Sequence, residues 1–144
     1  MMRKTLKRIG IIILMLAVCV QFASVPALAK GDTWLRTAGE ARNTAINNCL
    51  SSLTMDTPGV LNCTGGTTVK SGYTAKVIVE LQVLNDDWET IRTWSDSGGT
   101  IAGVDEDYNA TRGNVYQLRL THLAYNSNGN LAEMITDYSG IYSY

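Results

Sequence analysis

The chain has little of what crosslinks, ligates or catalyses. Its 144 residues include two prolines, one phenylalanine, one histidine and three cysteines. Beyond residue 29 only two cysteines and the single histidine remain, short of the four ligands of a structural zinc site. No Gly-x-Ser-x-Gly elbow or comparable signature accompanies His122, so nothing local announces a hydrolase triad. There is no Lys/Arg cluster to track a nucleic-acid backbone and no cationic amphipathic stretch to lyse a membrane. A second domain is excluded by length, because ~100 to 150 residues make a single core.

Acidic residues are missing from Met1 to Ala29, whereas four of the twelve basic residues, Arg3, Lys4, Lys7 and Arg8, lie there. They precede the apolar run Ile9 to Val20, then Pro26 and the small-x-small triplet Ala27-Leu28-Ala29. This is the pattern of a secretory signal peptide cleaved after Ala29. An uncleaved anchor is the weaker reading, because Gln21 and Ser24 interrupt a run that needs ~20 apolar residues to span. A lipid on Cys19 is disfavoured by bulky Val18. The sequence therefore divides into a signal peptide at 1–29, an irregular or helical segment at 30–45 and a domain at 46–144. The domain is expected outside the cytoplasm, secreted or associated with the cell envelope, and it is net acidic.

Export places Cys49 and Cys63 in an oxidising compartment. A disulfide between them would close a loop of about 15 residues and stabilise the domain by roughly 3 kcal/mol. The alternative is two separate buried thiols.

Period-2 alternation is the dominant pattern after residue 70 and predicts half-buried strands. Ala75, Val77, Val79, Leu81 and Val83 share one face of a strand over 73–84, with Ile78 and Leu84 as exceptions. Tyr116, Leu118, Leu120, His122 and Ala124 share a face over 115–125. Its partner is expected over 131–144, across an Asn-Gly turn at 126–130. Further strands are expected at 88–95 and, more weakly, 101–108. From 32 to 55 two readings compete. Ala38, Ala41, Ala45, Cys49 and Leu53 recur at helical spacing, whereas Cys49, Ser51, Leu53 and Met55 alternate as in a strand turning at Asp56-Thr57-Pro58-Gly59. The strand reading is preferred because its neighbours are strands. It makes Cys49 and Cys63 symmetric about Asp56, opposite one another across a hairpin.

The segments Lys76 to Gln82, Trp88 to Ser95, Arg112 to Tyr116 and Glu133 to Tyr144 together resemble a group of uncharacterised small secreted β-sandwich proteins of Gram-positive bacteria. The resemblance implies an all-β, fibronectin-III-like or immunoglobulin-like antiparallel sandwich of about seven strands. It brings no catalytic residue, cofactor or substrate.

Among candidate site residues, His122 reads as a core histidine. Asp86, Asp87 and Glu89, and Asp105, Glu106 and Asp107, read as solvated loop charge, with Asp105 and Asp107 the first place to look for calcium. Trp88, Arg92 and Trp94 have one parity and on an ideal strand would form an exposed aromatic face able to stack on a sugar or anchor an interface. A bulge between the two tryptophans would turn one inward. Tyr138, Tyr142 and Tyr144 also share parity. The sequons at Asn62 and Asn109 carry no meaning in a bacterium. The expected protein is non-enzymatic, uses no cofactor or metal, and works by surface contact with an extracellular protein or envelope component. It meets membrane only through its signal peptide. A carbohydrate-binding module and a bacteriocin-like toxin are the alternatives.

Overall fold

The computed structural model describes residues 34–37 and 44–144; the expected signal peptide and its expected cleavage after Ala29 lie outside the described residues. The described chain is all β. Nine strands follow in order: β1 Trp34–Thr37, β2 Ile46–Thr57, β3 Val60–Val69, β4 Thr74–Leu84, β5 Trp88–Gly98, β6 Ile101–Asn109, β7 Val115–Tyr125, β8 Leu131–Tyr138 and β9 Tyr142–Ser143. The first sheet has the order β1-β2-β3-β6 and the second β5-β4-β7-β8, with β9 also pairing β7. All pairings are antiparallel. The segment before residue 46, expected to be irregular or helical, contributes strand β1, which pairs with β2 through Thr37 and Asn48.

The alternating rows explain why two layers form. Strands β3 and β4 bury every second side chain over most of their length and β7 buries its whole inward row, and burying a Val or Leu in full is worth roughly 1.5–3 kcal/mol. Leu61 and Cys63 from the first sheet and Val77, Val79, Leu81, Leu118 and Leu120 from the second are all fully buried and form one cluster. The result is a β-sandwich whose inner faces supply its core. At its centre the sheets approach so closely that β3 carries no side chain. A Cβ on Gly65 would fall 2.5 Å from Val79 Cγ2 and 2.7 Å from Leu120 Cδ2.

Two further contacts fasten the layers. Glu133 on β8 accepts the backbone N–H groups of Ala45 and Ile46, both at 2.8 Å, so an edge carboxylate of one sheet holds the first residues of β2 in the other. Buried Tyr116, at the start of β7, accepts the Thr111 N–H at 2.9 Å and donates to the Thr111 carbonyl at 3.4 Å. Its ring meets Tyr108 edge-on at 6.2 Å.

The β2–β3 turn is Pro58-Gly59, with Gly59 at φ +85°, a conformation that glycine adopts without strain. That turn lies beyond Asp56 and shifts the ladder. Cys49 stands opposite Thr67 and Cys63 opposite Leu53. The two cysteines are thus four residues apart along the ladder, about 13 Å at ~3.4 Å per residue, and a disulfide tolerates less than about 7 Å between Cα atoms. The expected disulfide is not formed. Both cysteines are buried in the core and are not bonded to one another.

Candidate functional site

The outer face of the first sheet holds an open groove of about 630 Å³. Its shape follows from register. Leu50, Gly66 and Gly103 lie side by side across β2, β3 and β6. The glycines leave a saddle without side chains between two flanking rows. On one side stand Asn48, Thr68 and Ile101, and on the other Thr64 and Asp105. Ile101 is 69% exposed at the rim. The floor is thus backbone and Leu50, and the walls carry hydroxyl, amide and carboxylate groups. The Thr68 Oγ1 atom is shielded from solvent and has no hydrogen-bond partner among the described residues.

Asp105 and Asp107 both stand on this outer face, but protein donors occupy them. Asn62 Nδ2 donates to Asp105 Oδ1 at 3.0 Å and Asp107 Oδ1 at 3.3 Å, and Thr64 Oγ1 donates to Asp105 Oδ1 at 3.0 Å. Among the described residues no group of three or more His, Cys, Asp or Glu side chains could hold a metal ion. Asp105, Glu106 and Asp107 thus lie within strand β6 and not in the expected loop, whereas at the β4–β5 turn Asn85 Nδ2 donates to Glu89 Oε2 at 2.7 Å.

The aromatic face expected on β5 is divided. Val79 pairs with Trp94 and Leu81 with Arg92, but Gln82 pairs with Thr90 and Leu84 with Trp88. One extra residue, Ile91, is therefore accommodated as a bulge, which reverses the facing of everything before it. Trp94 packs against the core, on the side of Val79. Trp88 stands on the outer side with Leu84, which is 40% exposed. Arg92 is exposed on the core-side parity of this edge strand. The tyrosines separate in the same way. Tyr138 is 50% exposed and pairs with Arg119, whereas Tyr142 pairs with Tyr116 and packs on the core. Tyr144 has its ring under the Arg112 guanidinium, 5.4 Å from the centroid.

His122 is fully buried, as expected. Its Nδ1 lies 2.7 Å from Thr67 Oγ1 on the opposite sheet. Nearby, Ser51 Oγ donates to Asp137 Oδ2 at 3.4 Å, also from sheet to sheet. Burial pushes the His122 pKa down to about 4; Asp137 and the Gly66 carbonyl act weakly the other way. Burial, and then the charges of Asp107 and Glu106, push the Cys63 thiol up to about 12, which leaves it an inert apolar side chain at neutral pH.

Sequence reasoning missed the groove. Its signal was Gly65-Gly66 and Gly103 inside strand patterns, where glycine marks a close approach or an open surface. Compared with family models, with curated proteins and with solved structures, the chain matches none.

Proposed function

We propose that this is an exported, non-enzymatic sandwich domain that works by contact, and that it touches an extracellular protein or envelope component through the outer face of its first sheet. The observation that carries this reading is the glycine-floored groove between the Thr68–Ile101 and Thr64–Asp105 rows. A floor that is bare backbone at Gly66 and Gly103, beside Leu50, admits an extended ligand close to the backbone, and the polar walls can fix its register. Export is supported by the leader-like pattern from Met1 to Ala29.

A fibronectin-III-like type of sandwich is supported by the strand order, β2-β3-β6 facing β5-β4-β7-β8. The Tyr116 hydroxyl, reaching back to Thr111 from the start of the strand, supports it too, since such a tyrosine corner recurs in immunoglobulin-like sandwiches.

Cosedimentation of the purified domain with isolated Gram-positive cell envelopes tests the reading. The wild type pellets with the envelopes, and Gly103→Trp, which fills the groove from a position where a Cβ makes only an ordinary 3.9 Å contact with the Gly65 carbonyl oxygen, does not. A wild type that stays in the supernatant, or a variant that pellets equally, removes the proposal. Carbohydrate binding keeps one of the two tryptophans of β5, Trp88, on the outer side, and Trp88→Ala in a glycan array is its test.

A further inference from the structure

The polar cluster inside the sandwich has no part in an outer contact face, yet it joins the two sheets where the rest of the core is apolar. Thr67 reaches His122 from β3, and Ser51 reaches Asp137 from β2. His122 is fully buried, and its Nε2 has no hydrogen-bond partner among the described residues. On β4 it is flanked by Val77, and on β8 by Ile135. The charged group nearest in the interior is Asp137 of β8; Glu133 of the same strand is engaged by the Ala45 and Ile46 N–H groups. From β2 comes the Cys49 thiol, in register with Thr67, and from β3 the Cys63 thiol, four residues from Thr67. Lys76 and Glu80 of β4 alternate to the outer face.

A neutral imidazole suits this place in either tautomer, because Thr67 can serve as donor or acceptor to Nδ1. The cation does not. It carries two N–H donors, and the one on Nε2 has no acceptor among the described residues, Thr67 and the Gly66 backbone notwithstanding. An unanswered donor on a buried charge is among the more costly states a core can hold.

We propose that His122 is an acid-sensitive tie between the sheets: uncharged, it binds β7 to β3 through Thr67, and on gaining a proton it destabilises that packing and with it the folded domain. The depressed pKa of the ring, caused first by burial, agrees with this. The sign follows by linkage. The unfolded imidazole takes up a proton near 6.5 while the folded one refuses it until about 4. The stability that the neutral ring provides is thus fully present above about 6.5 and is lost as pH falls toward 4.

The chain has one histidine, so a one-proton linkage between pH 6 and 5 belongs to His122, carboxylates titrating lower. Urea unfolding of the folded domain across that window reads it. The unfolding constant of the wild type rises about sevenfold as pH drops from 6 to 5, and that of His122→Leu stays flat over the same unit. A flat wild type, or a variant that keeps the slope, overturns the proposal. Should His122→Leu not fold, the imidazole Cε1–H resonance of the wild type decides: it holds its neutral position down to pH 5 if the tie is as described, and a midpoint near 6.5 in the folded protein contradicts it.

Discussion

Between the sheets, two neighbouring places on the same pair of strands solve the packing problem in opposite ways. At Gly65 and Leu120 the layers touch through hydrocarbon alone, and β3 gives up its side chain to allow it. One step along, at Thr67 and His122, they are joined by a 2.7 Å hydrogen bond between buried polar groups. The dry place is intolerant of volume, because interiors are close-packed and extra methylenes have nowhere to go. The polar place is intolerant of lost partners and added charge, because each buried polar atom depends on one specific neighbour. A single core thus has two kinds of weakness, one steric and one electrostatic.

The largest effect is expected at the dry place. Gly65→Val drives methyl groups into Val79 and Leu120 and costs about 3 kcal/mol or more, read from urea unfolding or as failure to recover folded protein. At the polar place, Thr67→Val leaves the buried imidazole without its partner and lowers stability by about 1–3 kcal/mol. If the two substitutions cost the same and respond alike to pH, the contrast between the places is broken. Tyr116→Phe comes next. It removes the hydroxyl that holds the Thr111 backbone but keeps the ring against Tyr108, for about 1 kcal/mol in thermal melting. Reductant has no effect at all on the melting temperature, since Cys49 and Cys63 are separate thiols, and alkylation of either follows global unfolding.

Where the sequence could be read and where it could not follows from what breaks an alternation. Over β7 the inward row from Tyr116 to Ala124 is uninterrupted, so strand, facing and the buried place of His122 were all legible. The Asn126 to Asn130 turn was legible for a related reason. Asn126 Oδ1 takes the N–H groups of Asn128 and Asn130, and Gly129 sits at φ +78°, which is chemistry local to five residues. On β5 the residues before Ile91 and after it follow opposite parities, and no local property of Ile91 announces the bulge. The sequence therefore leaves two readings, an aromatic face with Trp88 and Trp94 on one side or a bulge that turns one of them inward, and the structure has the second. The cysteine pairing failed on an equally small displacement, a turn centred at Pro58-Gly59 instead of Asp56. Beyond Tyr138 the chain leaves β8 through Ser139-Gly140 and rejoins β7 as β9, so three tyrosines of one parity end in three different settings. The groove was illegible because it is made by the coincidence of Gly66 and Gly103, which are distant in sequence and adjacent only through the β3–β6 register.

The central claim, that the outer face of the first sheet does the touching, is tested most directly by nuclear magnetic resonance of the labelled domain as solubilised envelope fragments are added. The account predicts backbone amide shifts confined to Asn48, Leu50, Thr64, Gly66, Thr68 and Gly103, with the Trp88 indole unmoved. Shifts centred on Trp88 and Leu84, or none at saturating fragment, would contradict it.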